Sequence, residues 1–201
     1  MARSNAPGFI VRPPGMNLQT YDVIGTSIAA SSAGSLTLLH VPNRTNSNYN
    51  NRYGDSTTIK SIRFQYTIFS GSAQTFATTN LYQTVRICIF WDEQPNGAVP
   101  AGSLPFLALT PLSNTEPQYS YRFKLLRDER HVICGLQTQD RPAMNDLYLK
   151  GLSLVTNFNA NNEAIGDINT GALYVYIIGD TAVGTNNVPV VNFTSRTRFV
   201  S

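Results

Sequence analysis

A period-two alternation of side chains runs through one segment of this sequence, YQTVRICIFWDEQPNGAVP (82–100), and ends at an Asn-Gly turn. One side of that alternation carries Val85, Ile87, Ile89 and Trp91. The other side carries Arg86, Cys88 and Phe90. Successive side chains of a pleated strand point to opposite faces, so the segment predicts a sheet-forming strand with a buried face.

Similar runs recur along the chain and predict about eight or nine strands. They fall at 21–41 (in two pieces), 59–69, 81–91, 119–127, 130–137, 147–155, 171–180 and 190–200. Asp128 and Glu129 are predicted to join two of these runs as a tight hairpin. The segment 101–116, interrupted by prolines, is the one place where a short helical connection is expected. The most hydrophobic run, 171–180, is predicted to lie at the centre of its sheet.

This strand count predicts an all-β fold, specifically an eight-stranded jelly-roll sandwich of two four-stranded antiparallel sheets with one short helical connection. No repeat of fixed period is present in the sequence, which argues against a propeller or a β-solenoid. Residues 1–20 are rich in proline and glycine and are predicted to form a flexible N-terminal arm. Residues 21–201 are predicted to form a single domain, because all-β domains of this size are common.

The composition is polar but poor in charge. Charged residues make up 13% of the chain, against roughly a quarter in an ordinary soluble domain. Such a surface is compatible with extensive subunit contacts, because buried charges are costly to desolvate, and equally with an Asn/Thr-rich β protein that does not assemble. The formal net charge is +3, and only three of the 15 cationic residues are lysine. Arginine suits phosphate binding, although ordinary salt bridges are the alternative use.

The sequence carries no recognisable catalytic signature, and we predict that the protein is not an enzyme. His40 and His131 are the only histidines, and neither has a second ligand at metal spacing. No G-x-S-x-G elbow, P-loop or H-E-x-x-H motif occurs. Cys88 and Cys134 lie in strand-like runs and are predicted to be buried free thiols. No apolar run has the roughly 18 residues that a membrane helix needs.

Four segments, in order, resemble the small single jelly-roll viral capsid proteins. They are NRYGDSTTIKSIRFQYTI, VRICIFWDEQPNGAVP, YRFKLLRDERHVI and GALYVYIIGDTAVG, and the resemblance covers roughly residues 50–185. This group includes the coat protein of satellite tobacco necrosis virus and the capsid proteins of circovirus-like single-stranded DNA viruses. The turn at Asp92–Gly97 and the strand at Arg122–Asp128 carry most of the resemblance.

The resemblance implies a capsid protein that forms a small icosahedral shell of about sixty copies, one per asymmetric unit. It also implies a packaged genome of single-stranded DNA or RNA, a location in the virion and assembly inside the host cell. Members of this group usually begin with an arm dense in Arg and Lys. Here residues 1–20 hold only Arg3 and Arg12, so neutralisation of a genome by the arm would be weak.

Residues of the folded domain are therefore expected to supply further phosphate contacts. Arg86, Lys150, Arg196 and Arg198 lie on the polar sides of three predicted strands. In a jelly roll these three strands are expected to belong to the same sheet, so that their polar faces combine into one basic patch on the shell interior. Salt bridges between subunits are the alternative role for these four residues.

A structural calcium ion between subunits is implied by the satellite-virus resemblance, with Asp55 where one family acid would fall. A turn-capping role is the alternative for Asp55. A carbohydrate- or ligand-binding jelly-roll module is the alternative function, because the same architecture hosts lectins and cupins. A hydrolase on a β-sandwich is disfavoured, because a nucleophile–base pair is missing.

Overall fold

The computed structural model describes residues 18–44, 50–71, 82–102, 104–134, 142–182 and 188–201. This part of the chain forms nine strands and two single turns of 3-10 helix. The strands are β1 (Gln19–Ala29), β2 (Ser35–Leu38), β3 (Ser56–Phe69), β4 (Tyr82–Asp92), β5 (Phe123–Cys134), β6 (Ala143–Phe158), β7 (Ile168–Thr170), β8 (Ala172–Gly179) and β9 (Val190–Val200). The 3-10 turns are Pro117–Tyr119 and Ile165–Asp167. No helix in these residues is long and apolar enough to cross a membrane.

The strands form two antiparallel sheets. One sheet has the order β1-β9-β3-β6-β7 and the other has the order β2-β8-β4-β5. Successive strands alternate between the sheets except at β4–β5 and β6–β7, where consecutive strands pair within one sheet, and the last strand, β9, pairs with the first, β1. This double Greek-key order confirms the predicted jelly roll. The sheet predicted to have four strands gains a fifth, β7, which pairs with the end of β6.

The two sheets pack face to face on a shared apolar core. β4 and β8 contribute Ile87, Ile89, Val175 and Ile177, while β3 and β9 contribute Ile62, Phe64 and Phe193. Trp91 is also in this core and is 4% exposed, as its place in the alternation predicts. All eight residues of β8 are buried, and β8 pairs with β2 on one side and β4 on the other. The prediction that the run 171–180 is central in its sheet is confirmed.

The outer face of the four-stranded sheet is covered by its own chain. The connection between β4 and β5 lays Phe106 over this face, where its ring stacks on Tyr176 with 5.2 Å between ring centroids. Phe90 and Tyr174 form a second stacked pair at 5.5 Å, and Phe90 also meets Phe123 edge-on. This aromatic layer forms a second apolar cluster, which is why β4 and β8 bury both of their faces.

Two local predictions were wrong. The segment 101–116 contains no helix among its described residues, and the connection instead makes one 3-10 turn at Pro117–Tyr119, with Pro117 at its start. The prolines that punctuate this segment prevent a longer helix. The predicted hairpin at Asp128 and Glu129 is absent, because β5 runs straight through both residues and pairs them with Cys88 and Ile87. Charged residues are tolerated there because β5 is the edge strand of its sheet.

The two ends of the described chain lie beside each other, because β1 pairs with β9. β1 begins at Gln19, inside the last two residues of the predicted arm. Ser201 at the other end of the chain donates a hydrogen bond from its Oγ to Gln19 Oε1 at 2.8 Å. Arg3 and Arg12 lie outside the described residues. Both cysteines are free thiols, as predicted, with Cys88 buried and Cys134 partly buried.

Candidate nucleic-acid interface

The outer face of the five-stranded sheet carries the cations that the sequence predicts for β9. On this strand Arg196 and Arg198 are exposed, while Ser195, Thr197 and Phe199 between and beside them are buried. The alternation inferred from the sequence is therefore confirmed for β9. Arg196 and Arg198 are one strand repeat apart, roughly 7 Å along the strand.

The pairing register places further basic and polar residues beside these arginines. Ser61 of β3 lies opposite Arg198 on one side and Lys150 of β6 on the other. Two residues further along β3, Arg63 lies opposite Arg196 of β9 on one side and Tyr148 of β6 on the other. Lys150 thus joins the two β9 arginines on one face, as the sequence predicts. We refer to this set, Ser61, Arg63, Tyr148, Lys150, Arg196 and Arg198, as the basic face.

Arg63 is a member of the basic face that the sequence analysis did not single out. Its outward orientation follows from the alternation of β3, but its neighbours follow only from the register between strands. That register includes an irregularity between Ile59 and Ser61, which shifts the pairing of β3 by one residue relative to β9 and by two relative to β6. A bulge of this kind has no distinctive local sequence, so the pairing of Arg63 with Arg196 was not predictable.

Two of the arginines are held by carboxylates from flanking strands. Arg63 donates to Asp146 of β6 through Nε at 3.1 Å and Nη2 at 2.6 Å. Arg196 donates to Asp22 of β1 through Nε at 2.8 Å and Nη2 at 2.7 Å. The hydrogen bonds from Arg63 lower the pKa of Asp146, so this carboxylate stays ionised in mild acid. Both pairs are partly open to solvent, with side-chain exposures of 54% for Arg63 and 53% for Arg196.

Arg198 and Lys150 differ from these arginines, since neither makes an ion pair with any residue in the described part of the chain. Both are exposed and flank Ser61. A groove of about 180 Å³ lies on this face; it is lined by Ser61, Arg63, Gln65, Tyr148, Thr194, Arg196 and Arg198. Guanidinium groups match phosphate oxygens bidentately, and exposed tyrosine rings such as Tyr148 (53% exposed) stack on unpaired bases.

A wider hollow adjoins this groove on the same sheet. It has a volume of about 670 Å³ and shares Gln65 and Thr194 with the groove. Its most exposed apolar residues are Ile24 on β1 and Met144 on β6, at 71% and 75%. The outer face of the five-stranded sheet thus has two adjoining parts. The groove is lined by cationic residues, and the hollow is lined by both polar and apolar residues. An extended polymer could contact both parts.

Arg86 does not belong to the basic face. The prediction that the strands of Arg86, Lys150 and Arg196 share a sheet is wrong for Arg86, since β4 lies in the four-stranded sheet. Its side chain is 1% exposed and donates to Asp128 at 2.8 and 2.9 Å. It also donates to the Ser113 carbonyl at 2.5 Å, and its guanidinium carbon lies 4.5 Å from the centre of the Phe106 ring. Arg86 therefore binds the covering connection to the sheet.

Asp55, the candidate calcium ligand, is already engaged by cations. Arg44 Nη1 lies 2.7 Å from its Oδ1, and Arg52 Nη1 lies 3.3 Å from the same atom. Arg52 itself is buried and donates to the carbonyls of Pro42, Gly54 and Ala160. No group of three or more metal-ligating side chains occurs among the described residues. A calcium ion at Asp55 would therefore have to compete with Arg44, and such an ion stays a prediction.

The two histidines lie apart and have different surroundings. His40 is completely buried, with Nδ1 2.9 Å from Thr197 Oγ1 and Nε2 2.9 Å from Thr57 Oγ1. Its burial lowers its pKa to about 3, so it is neutral over the physiological range. His131 lies at the sheet-to-sheet boundary, where its Nε2 is 2.6 Å from the Tyr66 hydroxyl, which donates to Glu129. Each histidine serves to join strands of the sandwich.

Comparisons with known proteins return viral structures. The chain is similar to a chain from Desmodium yellow mottle tymovirus, with 12% identity, a TM-score of 0.39, and coverage of 98% of this chain and 93% of that one. It is also similar to a chain from the empty head of turnip yellow mosaic virus, with 13% identity, a TM-score of 0.35, and coverage of 100% and 89%. A chain from cucumber leaf spot virus shows 11% identity and a TM-score of 0.36, with coverage of 90% and 56%. No protein-family model and no curated protein matches the sequence.

Proposed function

We propose that this protein is a viral capsid subunit whose basic face contacts the packaged genome. The observation that carries the proposal is that the outer faces of the two sheets of the jelly roll differ in exposure. The outer face of the four-stranded sheet is covered by the connection between β4 and β5, which Arg86 contacts through Ser113 and Phe106. The other is left uncovered by the residues that the structure describes, and it exposes Arg63, Lys150, Arg196 and Arg198.

The jelly roll is one of the architectures used by viral capsid and lectin domains and by cupins, so the fold alone does not choose among them. The low charge content, the resemblance of four ordered segments to small capsid proteins and the basic face together favour the capsid. An exposed cationic sheet face suits the inner surface of a shell, where phosphates must be neutralised.

The alternative of a carbohydrate- or ligand-binding module finds less support. Trp91, the only tryptophan of the sequence, is 4% exposed and therefore cannot stack on a sugar at the surface. A cupin needs a cluster of histidines around a metal, whereas His40 and His131 bind different partners in different parts of the sandwich.

The finer features of the proposal come from the sequence resemblance. The shell would be icosahedral, with about sixty copies, and would enclose single-stranded DNA or RNA. Arg3 and Arg12 of the arm would add two cations to the interior, and a calcium ion at Asp55 would lie between subunits. Assembly would take place inside the host cell, and the mature protein would reside in the virion.

Electron microscopy of the purified full chain, with the ratio of absorbance at 260 and 280 nm, tests this function. We expect closed particles that contain nucleic acid. The double variant R198Q/K150Q should form the same particles with less nucleic acid, because it removes the two exposed cations without ion pairs on the basic face. The control K124Q/R130Q removes two exposed cations from β5, in the other sheet, and should package like the wild type.

Two results would contradict the proposal. A chain that stays monomeric over a range of salt and pH would rule out a capsid subunit. Particles in which both double variants carry the wild-type amount of nucleic acid would rule out the basic face as the genome contact.

A further inference from the structure

The basic face contains its own competitors for phosphate. Asp22 and Asp146 stand at its two sides, on β1 and β6, and each occupies one arginine of the central strands β9 and β3. The register makes this arrangement regular: Asp22 lies directly opposite Arg196, and Arg196 lies opposite Arg63. Gln65 adds a hydrogen bond to Asp146 Oδ2 at 3.1 Å, which holds that carboxylate against the sheet.

We propose that Asp22 and Asp146 attenuate the binding of nucleic acid by Arg196 and Arg63. This inference rests on the proposed function, because it concerns the same face. Both carboxylates take the Nε–Nη2 edge of their guanidinium, one of the two edges that can hold a phosphate with parallel hydrogen bonds. A phosphate that approaches the remaining edge meets the negative charge of the carboxylate nearby.

The four cations of the basic face therefore divide into two kinds. Arg198 and Lys150 contribute their full charge, whereas Arg63 and Arg196 are each neutralised by a partner. Exposed ion pairs of this sort are weak, so a phosphate can displace the carboxylate at a cost rather than being excluded. The arrangement gives a face that holds a polyanion moderately and releases it, which suits a contact made many times along one genome.

The substitutions D22N and D146N test the proposal in the full chain. Asparagine has nearly the same size as aspartate and removes only the charge. The probes are fluorescein-labelled oligo-dT and oligo-U, and the measurement is their dissociation constant as a function of salt. If each substitution frees one phosphate contact, binding should tighten about fivefold at 0.1 M salt, and the log–log salt slope should steepen by about 0.7.

The matched control is E93Q. It makes the same change in net charge and also removes the partner of an exposed cation, Lys124, but Glu93 lies directly after β4, in the other sheet. E93Q should bind both oligonucleotides like the wild type. Thermal unfolding of each variant checks that it is folded, and the two aspartates lie on different strands, so one failure to fold leaves the other substitution as a test.

The outcomes separate this inference from the proposed function. Tighter binding by D22N and D146N, with weaker binding by R198Q/K150Q, supports both. If R198Q/K150Q binds more weakly but the aspartate variants bind as the wild type does or more weakly, the attenuation is wrong and the proposed nucleic-acid interface is still supported. Wild-type binding by R198Q/K150Q overturns the interface, and the attenuation with it.

Discussion

The outer faces of the two sheets use arginine in opposite ways. On the four-stranded sheet Arg86 is 1% exposed and forms hydrogen bonds to Asp128 and to the Ser113 carbonyl. The ring of Phe106 covers its guanidinium group. On the five-stranded sheet Arg198 is exposed and has no ion pair in the described part of the chain. Both residues lie on the polar side of a strand with the same alternation. The difference comes from the connection between β4 and β5, which lies over Arg86, whereas Arg198 is left exposed.

This comparison shows that an arginine on the polar side of a strand has no fixed role. Burial of Arg86 is tolerated because its charge is paired and its donors are satisfied. Burial by itself acts to raise the pKa of Asp128, but hydrogen bonds from Arg86 and Cys88 outweigh this and leave the pKa lowered. The carboxylate therefore stays ionised, and Arg86 and Asp128 form a stable pair under the covering connection.

The largest expected effect is that of R86A. It removes both guanidinium hydrogen bonds to Asp128 and the side-chain donor to the buried Ser113 carbonyl, so we expect a loss of about 3–5 kcal/mol in the free energy of unfolding. Urea denaturation measures this loss. R198A is the matched control, and it should change stability by less than about 0.5 kcal/mol because its side chain lies in solvent. Similar losses for the two variants would contradict the distinction between the faces.

A smaller loss is expected for F106A, which removes the ring that covers the four-stranded sheet. The stack on Tyr176 and the contact with Arg86 are lost, so we expect destabilisation of about 3 kcal/mol, at the low end for a buried phenylalanine because the covering connection can partly collapse. Limited proteolysis should then cut within residues 104–116. L107A alters the neighbouring residue, which is 57% exposed, and should be cut no faster than the wild type.

The smallest effect concerns His40, which packs against the inner side of the five-stranded sheet. Its pKa is about 3 in the folded state and 6.5 in the reference state, so only the unfolded chain takes up this proton as the pH falls below 6.5. Stability should therefore fall with pH in this range, by roughly 2 kcal/mol between pH 6.5 and 5. The loss should level off only near the folded-state pKa.

Denaturation at several pH values checks this effect. H40Q cannot titrate and should lose this part of the pH dependence, whereas H131Q should keep it. If H40Q retains the full dependence, His40 is not its source.

The sequence was sufficient for the fold wherever alternation was strong. It predicted the bounds of β9 and the buried central position of β8, because their patterns are long and uninterrupted. It failed at Asp128 and Glu129, where two adjacent charges are typical of a turn. A tertiary contact keeps these residues in a strand, because Asp128 is the ion-pair partner of Arg86, which lies forty-two residues earlier. The local sequence pattern carries no information about that contact.

The same reasoning explains what was missed in the candidate site. Arg196, Arg198 and Lys150 were found because each alternates with buried neighbours on its own strand. Arg63 and the two aspartates were not singled out because their roles depend on which strands are neighbours and on the bulge in β3. Arg86 was misassigned for a related reason, since alternation shows that a side chain leaves the shared core but not whether a loop lies above it.

The position of β9 also bears on the order in which the five-stranded sheet closes. β9 is the last strand of the described chain in sequence, yet it lies between β1 and β3 and pairs with both. Until β9 has paired, β1 therefore stays separate from the part of the sheet formed by β3, β6 and β7. Arg196 and Arg198 take their places beside Arg63 and Lys150 only when that strand joins the two parts.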